Sequence, residues 1–201
     1  MFTGIVQGIA TVTALTAKEA FISLELEFPA ANCENFSIGA SVALNGTCLT
    51  ITGFEGQRAR FDAIKSTLAI TNLGQLTVGS KVNFERAARI GDEIGGHLMS
   101  GHICDQIKIR EIERTETNCR IEFERPTNWA RYLLDKGFVG LNGCSLTMTN
   151  ITDDSFSVWL IPETLERTLF GSAKVGDTIN LEIDPQTQAI VDTVERYLSS
   201  R

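Results

Sequence analysis

Short stretches in which apolar and polar residues alternate cover most of the chain. FISLELEF and RARFDAI, for example, place an apolar residue at every second position, which is the period of a β-strand with one buried face. Further segments of this kind are GIVQGIATVTAL, SVALNGTCLTIT and KVNFERA, and later HICDQIKIREI, RIEFER, FVGLNGCSLTMT, SFSVWLI and TINLEID. Clusters of Gly, Asn and Asp separate them, as turns require. The pattern predicts an all-β-dominated chain.

One segment occurs twice: LNGTCLTIT at 44–52 returns as LNGCSLTMT at 141–149, 97 residues later. The same shift aligns identical residues far outside this segment, namely Thr67, Leu68, Thr71, Gly74, Val78, Gly79, Asn83 and Glu85 with Thr164, Leu165, Thr168, Gly171, Val175, Gly176, Asn180 and Glu182. A constant offset over this length indicates a tandem duplication. About six short strands per copy favour a small closed barrel, because closure removes exposed sheet edges. We therefore expect two homologous barrels, at 1–97 and 98–187.

A few segments depart from the strand pattern and predict helices. STLAITNLG and PETLERTLFG predict one short helix in each copy, and WARYLLDKG (129–137) predicts another that ends at Gly137. Near the C-terminus, Asp184 and Pro185 suit a helix cap and first helical position, and a terminal helical segment is expected over 188–201. Its apolar residues recur at helical spacing: Ile190, Val191, Val194, Tyr197 and Leu198. The residues alone leave open whether this face packs on its own chain or joins subunits.

Composition and charge narrow the class of protein. The net charge of −7 argues against a nucleic-acid partner, which a basic face would attract. No apolar run approaches the ~20 residues of a membrane span, and no basic region precedes the first apolar residues, so we expect neither membrane association nor a signal peptide. Five cysteines without a CxxC pair predict reduced thiols in a cytoplasmic protein: Cys33, Cys48, Cys104, Cys119 and Cys144.

Two histidines, His97 and His102, are the candidate proton carriers. Their spacing and the absence of neighbouring ligand residues predict no metal site, and a purely structural role in a turn is the alternative to proton transfer. No dinucleotide fingerprint, P-loop or nucleophile elbow is present. The repeat aligns Cys48 with Ser145, and His102 with Ile5. Such differences arise either from neutral sequence drift or because two pockets that were once equal came to have different roles in one reaction.

Six segments together resemble the trimeric type of riboflavin synthase: MFTGIVQG, NGTCLTIT, GGHLMSGHI, NGCSLTMT, IPETLERT and LEIDPQTQAIVDTVER. The resemblance spans nearly the whole chain. It implies six-stranded Greek-key barrels and a transferase that dismutates two molecules of 6,7-dimethyl-8-ribityllumazine, the last step of riboflavin biosynthesis. One molecule donates a four-carbon unit to the other, which gives riboflavin and 5-amino-6-(D-ribitylamino)uracil without any cofactor. The alternative is a fluorescent antenna protein that binds lumazine or flavin without turnover.

The resemblance also implies an assembly. Each barrel is expected to bind one lumazine, so that every active site holds two. The working site is expected between the N-terminal barrel of one subunit and the C-terminal barrel of its neighbour in a homotrimer. The C-terminal helix would join the three subunits. The resemblance also implies lumazine synthase as a partner.

Carried over position by position, the resemblance implies two sets of substrate-binding residues. The first site is expected to use Gly4, Ile5, Val6, Cys48, Leu49, Thr50, Asp62, Ala63, Ile64, Lys65, Ser66 and Thr67. The second is expected to use Gly101, His102, Ile103, Ser145, Leu146, Thr147, Trp159, Leu160, Ile161, Pro162, Glu163 and Thr164. His97 belongs to the binding set, Ser41 is a further site position, and Lys136 is expected to reach a ligand across the subunit boundary.

The resemblance assigns catalytic roles as well. His102 is expected to transfer protons together with Ser145 and Thr147, while Cys48 stabilises or briefly attacks the acceptor ring and Ser41 assists. Phe2 is expected to hold the N-terminal strand against the site. Three residues depart from the family pattern: Ser66 stands where Glu is common, Asn142 where Asp is common, and Thr47 where Val or Cys is frequent.

Overall fold

The computed structural model describes residues 1–34 and 36–200, and two closed antiparallel barrels form most of this part of the chain. The first barrel consists of β1 (Gly8–Ala17), β2 (Phe21–Glu27), β3 (Ser41–Leu44), β4 (Thr47–Glu55), β5 (Arg58–Ile64) and β6 (Lys81–Arg86). Around the barrel the strands follow the order β1-β2-β5-β4-β3-β6, and β6 pairs with β1 to close it. The predicted six-stranded Greek-key barrel is therefore confirmed.

The second barrel repeats this order 97 residues later along the chain. Its strands are β7 (Asp105–Arg114), β8 (Cys119–Glu124), β9 (Phe138–Leu141), β10 (Cys144–Thr149), β11 (Ser155–Leu160) and β12 (Thr178–Ile183). A short helix follows the fifth strand in each copy, α1 (Lys65–Ile70) and α2 (Pro162–Arg167), as predicted. Each of these helices leads into a 3-10 turn, Asn72–Gln75 or Leu169–Ser172.

Strand alternation fills each barrel with apolar side chains. In β5, for example, Ala59, Phe61 and Ala63 are fully buried, while Arg58 and Arg60, which alternate with them, are exposed. Burial of this apolar surface is the main force that holds such a barrel together. No helix within the described residues is both long and apolar enough for a membrane crossing.

The C-terminal helix α3 (Pro185–Ser199) begins where its cap residues predict. The Asp184 carboxylate accepts hydrogen bonds from the backbone N–H of Gln186 and Thr187, which stabilises the first turn. One side of α3 docks on the second barrel, where the Tyr132 hydroxyl donates to Asp192 and Val191 packs against the core. The adjoining side of the helix exposes apolar residues: Ile190, Val194, Tyr197 and Leu198.

Three predictions of secondary structure are wrong. The segments SVALNGTCLTIT and FVGLNGCSLTMT, expected to be continuous strands, are each divided by a turn of two residues, into β3 and β4 and into β9 and β10. The helix predicted over 129–137 is only a 3-10 turn, Ala130–Tyr132, because the backbone is already extended at Leu133 and takes a positive φ of 63° at Lys136. The strands predicted to start at Gly4 and His102 begin later, at β1 and β7. The residues that precede these two strands instead pair with the opposite barrel, as the site geometry below shows.

The repeated Asn-Gly pairs are the tight turns between β3 and β4 and between β9 and β10. Asn45 and Asn142 both have φ of 46°, and Gly46 and Gly143 both have φ of 81°. Hairpin turns of two residues favour Asn-Gly because both positions need positive φ. The two turns face each other so closely that a β-carbon on Gly46 would lie 2.7 Å from the Gly143 nitrogen. Glycine is therefore required at this contact for space as well as for conformation.

Asparagine side chains join the two barrels around these turns. Asn83 donates from Nδ2 to the Asn142 carbonyl at 2.9 Å. In the symmetry-related bond, Asn180 donates to the Asn45 carbonyl, also at 2.9 Å. Asn72 breaks the symmetry, because its Nδ2 donates to Asn142 and its Oδ1 accepts from Asn45. All five side chains are buried, so loss of one amide would leave its partners without hydrogen bonds.

We predict that Gly143→Ala destabilises the protein by about 3 kcal/mol. The substitution adds a β-carbon 2.8 Å from the Gly46 nitrogen and also forces alanine into a left-handed conformation. Equilibrium unfolding in urea would measure the change. Gly56→Ala is the matched control, since Gly56 has a φ of 56° but open space around it. The control is expected to cost only about 1 kcal/mol; equal losses in the two variants would contradict the packing argument.

Candidate active site

Strand alternation divides the predicted site residues of the first barrel between its two faces. On β4, Cys48 is half-buried and Thr50 is exposed, whereas Leu49 between them is buried in the core. Ser41 on β3 lies directly opposite Thr50 in the antiparallel register. Asp62, on neighbouring β5, is half-buried. The outward side chains of three adjacent strands therefore form one continuous surface, which we call the N site.

The second barrel carries the corresponding surface, the C site, on β9, β10 and β11. Ser145 is half-buried and Thr147 is exposed, and Thr147 lies opposite Phe138. Large apolar side chains surround them: Phe138 is 46% exposed, Trp159 48% and Ile161 60%. Exposed apolar groups of this size on one surface are typical of a ligand platform. The N site is more polar, because Ser41 and Asp62 occupy the positions of Phe138 and Trp159.

The chain segments that complete the two sites are exchanged relative to the prediction. The Cys48 N–H donates to the Gly101 carbonyl at 2.9 Å, and the Ser145 N–H donates to the Gly4 carbonyl at 2.8 Å. Residues 4–6 were expected beside Cys48 and residues 101–103 beside Ser145. That grouping is wrong, because each segment crosses to the other barrel before it enters its own first strand.

Burial and packing support the exchange. Val6 is 5% exposed and belongs to the core of the second barrel, together with Leu146 and Cys144. A β-carbon on Gly46, in the first barrel, would meet the side chain of Ile103. Gly101 packs so closely on Cys48 that an added β-carbon would lie 2.6 Å from the cysteine β-carbon.

The exchange also moves the expected histidine. His102 follows Gly101 beside Cys48 and is exposed, so within one chain it belongs to the N site and not with Ser145 and Thr147. His97 takes the place beside Ser145, and its Nδ1 lies 2.6 Å from the serine Oγ. The His97 ring stacks on Phe138 with centroids 5.1 Å apart and planes 10° apart. Sequence reasoning missed Phe138, although the repeat offset aligns it with the predicted site residue Ser41.

Electrostatics favours a neutral His97. Burial lowers its pKa, and the nearby Asp184 carboxylate opposes this effect without reversing it. In a neutral ring with its proton on Nε2, Nδ1 accepts the hydrogen bond from the Ser145 hydroxyl. The Nε2 atom is buried without a protein partner among the described residues. The pair can therefore receive a proton through the serine oxygen.

The cysteines differ in their surroundings. Burial raises the pKa of Cys104 and of Cys144 to about 12, which makes both thiols poor nucleophiles at neutral pH. Burial also raises the pKa of Cys33 and Cys119. Cys48 is the half-buried cysteine on the N site surface.

Several predicted contacts can come only from the backbone. Their side chains are buried: Val6, Leu49, Ala63, Ile103, Leu146 and Leu160. A second group surrounds the two surfaces at the strand ends and in α1 and α2, with side chains that are half-buried or exposed: Ile5, Ile64, Lys65, Ser66, Thr67, Lys136, Pro162, Glu163 and Thr164.

Of the positions that depart from the family pattern, Asn142 has a local explanation and Ser66 has none. Asn142 is buried in the asparagine network, where its Oδ1 accepts from the Asn180 N–H at 2.9 Å. Glu163 pairs with Arg167 one helical turn later on α2, whereas Ser66 on α1 has no carboxylate to form such a pair.

No group of three potential metal ligands occurs within residues 1–34 and 36–200.

Known proteins share this architecture. The family model described as lumazine binding domain matches twice, at residues 3–87 and 100–184. LumP complexed with riboflavin has a TM-score of 0.84 and 26% identity, and the match covers 91% of this chain and 99% of LumP. LumP with bound 6,7-dimethyl-8-(1'-D-ribityl) lumazine has a TM-score of 0.82 at 24% identity, over the same shares of the two chains.

Full-length sequence relatives are enzymes. Riboflavin synthase from Escherichia coli (strain K12) is 51% identical over 202 residues, covering 100% of this chain and 95% of the relative. Riboflavin synthase from Chlamydia pneumoniae is 40% identical over 200 residues, covering 100% and 98%. The doubled family domain and these full-length matches agree with the doubled site, and this chain belongs to the riboflavin synthase family.

Proposed function

We propose that this protein makes riboflavin by dismutation of two molecules of 6,7-dimethyl-8-ribityllumazine, with one molecule bound at the N site and one at the C site. The observation that carries the proposal is the pair of equivalent outer surfaces, each completed by a segment of the opposite repeat. Two identical substrates call for two related sites. Holding two flat rings in a fixed relation supplies much of the rate enhancement for a reaction between them.

The C site fits the molecule that loses a proton from its C7 methyl group. The ring system spreads the resulting negative charge, so a modest base is sufficient. The Ser145 hydroxyl is held 2.6 Å from His97 Nδ1, and the neutral imidazole can accept the proton through the serine oxygen. Exposed Trp159 offers a flat surface for the ring.

The N site fits the partner molecule. Cys48, Ser41 and Thr50 present a thiol and two hydroxyls on adjacent strands, and His102 lies at the edge of this surface. In this proposal Cys48 stabilises or briefly attacks the acceptor ring, while polar side chains bind its substituents. The four-carbon unit then passes from one lumazine to the other.

The two molecules can meet only if an N site faces a C site. We propose that this happens between neighbouring subunits of a homotrimer, where His102 of one subunit approaches Ser145 and Thr147 of the next and Lys136 reaches the ligand across the boundary. The exposed apolar side of α3 supports subunit contact through Ile190 and Leu198. A cytoplasmic trimer of this kind could also associate with lumazine synthase.

The alternative function is an antenna protein that binds lumazine or flavin without turnover, which the fold shared with LumP raises. The full-length identity to riboflavin synthases and the His97–Ser145 pair favour the enzyme.

Purified protein incubated with 6,7-dimethyl-8-ribityllumazine is expected to form one riboflavin for every two lumazines consumed. Flavin absorbance and chromatography of the pyrimidine product would measure the ratio. Ser172→Ala, which removes an exposed hydroxyl outside both sites, should retain full activity. Tight fluorescent binding of lumazine without product would favour the antenna alternative and contradict the proposal.

We predict that Ser145→Ala and His97→Gln each lower kcat by roughly 10²–10⁴-fold while lumazine affinity changes little. Equal losses in kcat and in affinity would indicate that the pair only positions substrate.

The pH dependence of the reaction provides a separate test of His97. Because burial lowers its pKa, the ring stays neutral at pH values where an ordinary histidine, with a pKa of about 6.5, begins to protonate. The rate should therefore fall with acid only below about pH 6.5. A kcat profile of His97→Gln should lack this acidic limb, whereas His102→Gln should retain it. A limb that persists without His97 would refute the assignment.

We predict that Ile190→Glu combined with Leu198→Glu dissociates the trimer and abolishes turnover, because a charged side chain cannot be buried in an apolar contact. Light scattering after gel filtration would give the mass. Arg196→Glu places the same carboxylate away from the apolar side of α3 and should leave the trimer intact. An active monomer would contradict a site shared between subunits.

A further inference from the structure

Two buried glutamates hold the exchanged segments in the same way. The Glu85 carboxylate, at the end of β6, accepts from the Thr3 hydroxyl at 2.8 Å and from the backbone N–H groups of Thr3 and Gly4 at 2.6 and 3.0 Å. Glu182, at the end of β12, accepts from the Ser100 hydroxyl at 2.8 Å and the Ser100 N–H at 2.7 Å. It also accepts from the Gly101 N–H, at 3.0 Å.

Each carboxylate belongs to one barrel, while the segment it holds completes the site of the other. Glu85 lies on the first barrel, but Gly4 accepts a hydrogen bond from Ser145 of the C site. Glu182 lies on the second barrel, but Gly101 accepts from Cys48 of the N site. One glycine, Gly4 or Gly101, thus connects each carboxylate to the site on the opposite barrel.

The surroundings make these contacts costly to lose. Glu85 is 3% exposed and Glu182 is 1% exposed. Burial raises the pKa of both carboxyls, and the N–H and O–H donors of the held segments oppose that rise. A buried carboxylate is stable only when such donors surround it, so each segment and its glutamate depend on each other.

A direct bridge ties the two held segments together. Phe2 and Met99 exchange backbone hydrogen bonds of 2.9 Å in both directions. Their side chains are buried with Ala43, and Cys48 packs against this cluster. This places Phe2 where the sequence analysis expected it, against a site, although that site is the one beside Gly101.

We propose that Glu85 and Glu182 are crossed positioning residues: each fixes, from the last strand of one barrel, the backbone segment that shapes the substrate site of the other barrel. Glu85 acts on Ser145 and His97 through Gly4, and Glu182 acts on Cys48 and His102 through Gly101. The inference rests on the proposed placement of one substrate at each site.

The chain contains only two histidines, and each marks one site. Histidine-selective ¹³C labelling therefore gives one ring signal for the C site, from His97, and one for the N site, from His102. In the substrate-free protein, Glu85→Gln is expected to shift the His97 signal more than the His102 signal. Glu182→Gln is expected to reverse this order. The two variants are matched controls for each other, since they make the same chemical change at equivalent positions.

Alkylation of Cys48 by iodoacetamide provides a second measurement of the N site. Glu182→Gln should change its rate roughly tenfold, as expected for loss of a restraining hydrogen bond. Glu85→Gln should change the rate less, because it acts on Cys48 only through the bridge between Phe2 and Met99. Cys33, just after the 3-10 turn Ala30–Asn32, serves as the internal reference in peptide mass spectrometry.

If either glutamine variant fails to fold, Thr3→Val and Ser100→Ala provide milder tests, because each removes one hydroxyl donor to a glutamate. The same two hydroxyls also accept from the Ile5 and His102 N–H groups at 3.2 Å, so the alkylation rate of Cys48 must change together with the His102 signal in Ser100→Ala. Thr3→Val should shift the His97 signal, and Ser100→Ala the His102 signal. Equal shifts of both histidines, shifts in the reverse order, or no shift in any variant would overturn the proposal. The measurements need no substrate, so a failure of the crossed arrangement is distinct from a failure of the proposed reaction.

Discussion

The contact between the two Asn-Gly turns is the constraint on which the other features of this molecule depend. Gly46 and Gly143 approach so closely that neither position has space for a side chain. The asparagines before them exchange hydrogen bonds with the opposite barrel through Asn83 and Asn180. This fixes how one barrel faces the other. Only in that arrangement can the segments before β1 and β7 reach across to the neighbouring strands and complete the two outer sites.

Most of the fold could be predicted because its signals are local. Alternating side chains identify the strands, and Asp184 with Pro185 identifies the start of α3. The Asn-Gly turns inside SVALNGTCLTIT and FVGLNGCSLTMT were not recognised, although Asn-Gly is a local signal for a hairpin. The constant offset carried these assignments from one copy to the other. The segment at 129–137 shows the limit, since helical composition there gave way to an extended Leu133 that buries its side chain.

The site was predicted less completely, for a physical reason. A constant repeat offset shows which residues of the two copies are homologous. It carries no information on whether a segment contacts its own barrel or the barrel of the other copy. Residues 4–6 are equivalent to 101–103, yet each segment lies against the barrel of the other copy, and no local pattern distinguishes the two possibilities. Ser145 was therefore assigned to His102, although His97 lies 2.6 Å from its hydroxyl. The alternation of buried and exposed residues in β4 and β10, in contrast, does identify the side chains that face outward.

The two copies differ in a way that separates stability from chemistry. Inward positions exchange volume but remain apolar: Ala59 and Phe61 in β5 correspond to Phe156 and Val158 in β11, so a small residue in one place is compensated by a large one two residues away. Outward positions lie outside the two barrel cores, so a change there leaves the packing of those cores intact. The chemical differences between the copies fall on these outward positions, where Ser41, Cys48 and Asp62 correspond to Phe138, Ser145 and Trp159. A duplicated barrel could therefore divide the work of its two sites without weakening either core.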